Sequence, residues 1–173
     1  GSITLAGTVN GSGTLTTGTY ALTGGTLASG AAFGPGTLTS SGSSELAGTA
    51  AASTVDVTAG TLLLTGSNRL SGNPTTTVAS GATMQLTGSQ AVNTLSLFGT
   101  LAGAGHTLTG NTVTLQAGAA IDANIAGGTL QVAGNATLTG TASSAIINVA
   151  GGNLLLASGN RLGTGSNVFV FTG

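Results

Sequence analysis

The chain has 173 residues, of which 32 are glycine and only five carry a full charge: Glu45, Asp56, Arg69, Asp122 and Arg161. At 3% charged, against roughly 25% in ordinary soluble domains, it has no basic face for nucleic acid, and at 40% hydrophobic it is too apolar for a charge-rich disordered chain. No apolar run approaches the roughly 20 residues of a membrane helix, glycine spacing is too irregular for collagen, and the frequent Gly, Thr, Ser, Asn and Val disfavour helix throughout.

In chain order the sequence repeats one unit, apolar-x-apolar followed shortly by Gly. Its ten copies are Ile3-x-Leu5, Tyr20-x-Leu22, Gly36-x-Leu38, Val55-x-Val57, Thr76-x-Val78, Leu95-x-Leu97, Val113-x-Leu115, Leu130-x-Val132, Ile147-x-Val149 and Val168-x-Val170. The second anchors are 16 to 21 residues apart, with a mean of about 18, a period of stacked coils. Gly36 and Thr76 stand where an aliphatic residue is expected. A second apolar set follows each Gly: Leu27, Leu46, Leu62/Leu64, Met84/Leu86, Leu101, Ile121, Leu138 and Leu154/Leu156. A third comprises Leu15, Phe33, Leu70, Val92, Leu108, Ile125 and Leu162.

Three short strands per coil, joined by Gly-containing bends, predict an all-β parallel β-helix (a solenoid) of about nine coils of roughly 18 residues. It would form a single repeat domain over 1–173 with three parallel sheets. A lone coil cannot satisfy its backbone or bury its aliphatics. Stacking does both, each buried aliphatic contributing roughly 1.5–3 kcal/mol. At about 4.8 Å per coil the stack spans on the order of 43 Å. The residue between the anchors should face solvent: Thr4, Ala21, Thr37, Asp56, Thr77, Ser96, Thr114, Gln131, Asn148 and Phe169. Eight of these ten are polar, as the alternation of a half-buried strand requires. Phe169 breaks the stripe, which marks it as a candidate contact with another coil or a partner.

The closest internal match pairs VDVTAGTLLLTGSNRL (55–70) with INVAGGNLLLASGNRL (147–162), offset by 92 residues. That offset is about five coils, the signature of a duplicated block, and both arginines lie in the shared Asn-Arg-Leu element. Gly1-Ser2 reads as a cloning scar, so an excised fragment of a longer stalk is expected.

The segments TVASGATMQLTGSQ (77–90), LSLFGTLAGAGHTLTGNTVTL (95–115) and AGGTLQVAGNATLTG (126–140) resemble passenger regions of bacterial autotransporters. They are equally similar to filamentous-haemagglutinin-like exoproteins of the two-partner secretion route. The resemblance covers essentially the whole chain and lies in texture and period rather than in an invariant motif. It implies a right-handed parallel β-helix exported across the outer membrane and displayed or released outside the cell. It also implies a structural role in adhesion or self-association, with host or neighbouring cell surfaces or sister chains as partners and no direct membrane insertion.

Catalytic chemistry is sparse. Carbohydrate-active β-helix enzymes need clustered acids in a groove, whereas Glu45, Asp56 and Asp122 belong to different coils. They read as solvated surface groups, and no enzyme activity is expected. His106, the only histidine, sits in a bend and has no companions for a metal site. No cofactor is expected. Serine has no base partner and no G-x-S-x-G elbow, and the Gly-x-Gly stretches open no helix that could hold phosphate. Arg69 and Arg161 are candidate partner contacts because their context repeats; the alternative is a corner arginine covering the coil with its stem.

Thr-x-Thr pairs occur at Thr14/Thr16, Thr37/Thr39, Thr107/Thr109, Thr112/Thr114 and Thr137/Thr139. An ice-binding surface would need them in ranks on consecutive coils. They are expected on different strands of unequal coils, so ice binding is a minor alternative. The main alternative to a stalk is a filament subunit stacking end to end through uncapped coils.

Overall fold

A computed structural model describes residues 1–171. It is an all-β solenoid whose strands pair in parallel with their copies one coil later. The first sheet has ten strands, from Ser2–Leu5 to Asn167–Val170, and the second has nine, from Thr8–Val9 to Leu154–Leu156. The hydrogen-bond ladder continues around the corners: Thr23 N donates to Leu5 O at 2.8 Å, Ala47 N to Leu27 O at 2.9 Å and Ala133 N to Leu115 O at 2.8 Å. Corner backbone is therefore satisfied by the coil before it, which is why no coil is stable alone.

The core is built from columns of aliphatic residues. One runs Tyr20, Leu38, Val55, Thr76, Leu95, Val113, Leu130 and Ile147 in successive rungs, all buried. Near its start Tyr20 stacks on Phe33 at a centroid distance of 4.4 Å, and the Tyr20 hydroxyl donates to Leu15 O at 2.9 Å. The large apolar body is buried while its polar tip closes the corner. Gly140 shows how tightly corners stack: a Cβ there would collide with the Ala123 carbonyl.

Two expected registers are corrected. Tyr20 pairs with Leu38 and Leu22 with Ser40, so the third unit is Leu38-x-Ser40 rather than Gly36-x-Leu38, and its outward residue is Thr39, not Thr37. Rungs therefore follow one another by 17, 18, 17, 21, 19, 18, 17, 17 and 21 residues. In the third set Gln90, not Val92, lies in register with Leu108, and Val92 pairs with Gly110. Both slips are of two residues, which preserves the face and so costs the sequence pattern nothing.

The third sheet is also smaller than expected. It contains only Gly13–Leu15, Ala31–Phe33 and Thr49–Ala50, continued by a single bridge from Ala50 to Leu70. From Gln90 onward its role passes to the first sheet, whose strands lengthen to Gln90–Leu97, Thr107–Leu115, Asn124–Val132 and Ala142–Val149. The ladder runs from one segment to the other with a gap at Asn93 and Asn111, where two successive residues, Asn93 and Thr94, face outward and mark a retained bend.

The 92-residue repeat has a structural meaning. Both 21-residue steps contain the Asn-Arg-Leu element. In each, Asn stands in the left-handed region, Asn68 at φ 57° and Asn160 at φ 57°. The following arginine carbonyl accepts from the coil before: Ala50 N to Arg69 O and Ala142 N to Arg161 O, both at 2.7 Å. Leu70 and Leu162 then bridge to Ala50 and Ala142. The element is a corner that takes up two of the extra residues of a long coil, the offset between paired residues rising from 18 at Leu46 and Leu64 to 20 at Ala50 and Leu70, while the first sheet keeps its pairing.

Candidate functional site

The most regular surface of the molecule is the outer face of the first sheet. Just N-terminal to the first anchor of each unit, one outward column reads Thr19, Thr37, Thr54, Thr75, Thr94, Thr112 and Thr129 on seven consecutive rungs. Ser2 precedes it and Ile146 follows it. Two residues along each strand, a second column reads Thr39, Asp56, Thr77, Ser96, Thr114 and Gln131. Every side chain of both columns faces solvent, half-buried by its neighbours or exposed.

The seven threonine hydroxyls of the first column make no hydrogen bond to another group among the described residues. Corner threonines behave differently: Thr58 Oγ1 donates to Ser40 O at 3.0 Å, Thr87 Oγ1 to Leu64 O at 3.3 Å, and Thr65 Oγ1 to Glu45 Oε1 at 2.7 Å. Corner hydroxyls thus serve the fold, while those of the column remain available to whatever lies above the sheet. The β-branched side chain is stiff at χ1, so the column is a fixed array. Asp56 is the one charged side chain on these two columns.

The outer face of the second sheet is a useful contrast. One of its columns runs Thr26, Glu45, Leu63, Gln85 and Ala102. The other runs Ser43, Thr61, Thr83, Thr100, Ala120, Thr137 and Leu155. This face mixes acid, amide, aliphatic and hydroxyl groups.

The residues singled out from sequence are scattered. Glu45 lies on the second sheet and Asp56 on the first. Asp122 follows the second-sheet strand Ala120–Ile121, its amide donating to Leu101 O at 2.9 Å. His106 is half-buried in a turn, where its amide donates to Gly103 O at 2.9 Å. Among the described residues no three His, Cys, Asp or Glu side chains gather as metal ligands.

Arg69 and Arg161 sit at equivalent corners five coils apart, about 24 Å at the usual strand spacing, and do not form one site. Arg69 Nη1 donates to Ala47 O at 2.8 Å, and the Nε of each arginine is buried without a partner among the described residues. Phe169 faces outward opposite Asn148 and is 48% exposed.

Sequence reasoning missed three features. The threonine column was legible one position before each first anchor. Gln90, a buried polar residue, was hidden by its occupying an aliphatic column. The third is the last described coil, where Leu155, Leu156, Val168, Val170 and Phe171 are exposed together with Phe169. Val168 and Val170 continue the inward columns of Ile147 and Val149. In comparison with known proteins, no family model, no curated protein and no solved structure matches the chain.

Proposed function

We propose that this chain is a structural segment of a bacterial surface-displayed or secreted adhesin stalk, working outside the cell through repeated weak contacts of its outer faces with a cell surface or sister chains. The observation that carries the reading is the first sheet: ten rungs in unbroken parallel register presenting solvent-facing columns of hydroxyl and amide side chains. Such a rod sums many small contacts that are individually weak. The passenger-like texture of the sequence supports export. The test is retention of beads coated with the purified chain on bacterial and animal cell layers. Retention above that of blank beads, reduced by lysine substitutions on the first sheet, is the expected result; retention equal to blank beads would overturn the reading.

A second reading, end-to-end stacking of copies, rests on the exposure of Val168 at 47% and Val170 at 69% in positions that earlier coils bury. An open parallel rung with apolar side chains accepts another strand in register. Electron microscopy of the purified chain separates the two: uniform end-to-end fibres support stacking, and monodisperse short rods exclude it.

A further inference from the structure

We propose that the outer face of the first sheet binds ice, with the column Thr19, Thr37, Thr54, Thr75, Thr94, Thr112 and Thr129 as its principal rank. This goes beyond the adhesin reading and does not depend on it, since an ice-binding face would act whether or not the chain is part of a stalk.

The argument begins with spacing. Neighbouring strands lie about 4.8 Å apart, and residues i and i+2 on one face of a parallel strand are roughly 6.6 Å apart. Threonines on consecutive rungs, with a second column two residues along, therefore form a rectangular net of hydroxyls. Its two repeats lie close to the oxygen repeats along the a and c axes of hexagonal ice. The net is long enough to matter: seven rungs in unbroken register extend over about 29 Å. The second column supplies hydroxyls at Thr39, Thr77, Ser96 and Thr114.

The expectation that unequal coils would scatter the Thr-x-Thr pairs holds for Thr14/Thr16, Thr107/Thr109 and Thr137/Thr139, which lie off these columns. Thr37/Thr39 and Thr112/Thr114 do not scatter. They join Thr75/Thr77 and Thr94/Ser96 in one net, because the extra residues of the first long coil go into its corners, two of them at the Asn68 corner, and leave the sheet register intact.

Strand propensity alone does not account for the column. Threonine suits outward strand positions, but on the second sheet the corresponding column carries threonine on only three consecutive rungs, Thr61, Thr83 and Thr100, before Ala120 interrupts it, and the column beside it carries Glu45, Leu63, Gln85 and Ala102. The column hydroxyls are also free of internal hydrogen bonds among the described residues, whereas Thr58, Thr65 and Thr87 at the corners are committed. Stiff χ1 rotamers mean that little side-chain entropy is lost on binding. The methyl groups, at regular intervals beside the hydroxyls, hold a first water layer in register rather than dispersing it.

A crystalline polysaccharide is the competing regular surface. It favours aromatic platforms for sugar rings, and Phe169 is the one aromatic residue on these columns, beyond the end of the threonine rank.

The test uses the purified chain at submillimolar concentration. Thermal hysteresis by nanolitre osmometry, inhibition of ice recrystallisation and incorporation of the fluorescently labelled chain into a growing ice hemisphere are the readouts. The chain is expected to show all three. Replacing adjacent rungs, Thr75→Lys with Thr94→Lys, is expected to lower hysteresis by about tenfold, as loss of a central contact does in other interfaces. The matched pair on the second sheet, Thr83→Lys with Thr100→Lys, is expected to leave it unchanged. Circular dichroism checks each fold; should the lysine pair misfold, Thr75→Val with Thr94→Val keeps the shape, removes two hydroxyls and is expected to lower hysteresis. The proposal is overturned by no effect of the parent chain on ice, by equal losses from both sheets, or by retention on powdered cellulose or chitin without any effect on ice.

Discussion

Gln90 and Arg69 are joined across one coil: Gln90 Oε1 accepts the Arg69 amide at 2.7 Å, while its Nε2 donates to Gly66 O at 2.6 Å. The same Oε1 accepts from Leu70 N at 3.4 Å, and Nε2 also approaches Gly88 O at 3.3 Å. Gln90 is 2% exposed and occupies the column that holds Leu108 and Ile125 in the following coils. One amide side chain thus does for the Asn-Arg-Leu corner what a strand partner does elsewhere. The third sheet has ended there, and its backbone groups would otherwise be buried without partners.

The first prediction follows from that exchange. Gln90→Leu suits the column in shape and polarity but strands Arg69 N and Gly66 O. Leaving a buried polar group unpaired costs about 1–3 kcal/mol, so the variant should lose about 2 kcal/mol in urea unfolding. Hydrogen exchange should accelerate most at the Arg69 and Leu70 amides. Unchanged exchange at those two amides would show that the corner does not depend on Gln90.

A second prediction runs in the opposite direction. Thr76 is fully buried between Val55 and Leu95, and its Oγ1 has no partner among the described residues; Ser40 Oγ is in the same position between Leu22 and Val57. Replacing an unsatisfied hydroxyl by an apolar group of the same shape removes a desolvation cost. Thr76→Val should therefore raise stability by about 1 kcal/mol, read as a higher urea midpoint with an unchanged slope. A lower midpoint would mean that the hydroxyl is satisfied in solution by a buried water.

These two residues also show what the sequence can and cannot reveal. The period of about 18 residues was legible because aliphatic pairs recur beside bends, and this sufficed for the solenoid and for nine of the ten rungs of the first sheet. Strand alternation has period two, however, so a slip of two residues leaves every side chain on its proper face. Leu38 and Val92 were misaligned in that way, and nothing in the local pattern opposes it. The fusion of the third sheet into the first was not legible, because it depends on how each corner stacks on its neighbour. The threonine column was written in the sequence but belongs to no single coil. It exists only once the rungs are in register, and the slip at Leu38 moved Thr37 out of its column.

The last prediction concerns the duplicated corner. Asn68 and Asn160 share φ 57°, a region that costs an ordinary L-residue roughly 1–2 kcal/mol and that glycine enters freely. Asn68→Ala should lose about 1 kcal/mol, whereas Asn68→Gly should stay within a few tenths of the parent. The equivalent pair at Asn160 carries the same local cost, but its surroundings differ: Leu70 is 3% exposed, Leu162 is only partly buried, and the neighbouring Leu155 and Leu156 are open to solvent. In a stack held together by nearest-neighbour contacts, a poorly covered coil opens before the rest. Asn68→Ala should therefore lower the global unfolding midpoint. Asn160→Ala should leave that midpoint nearly unchanged while speeding hydrogen exchange at the Ala142 and Gly163 amides, which bond across that corner at 2.7 Å. Equal shifts of the global midpoint from the two alanine variants would show that the last coils unfold together with the rest of the stack, and that their exposure does not loosen them.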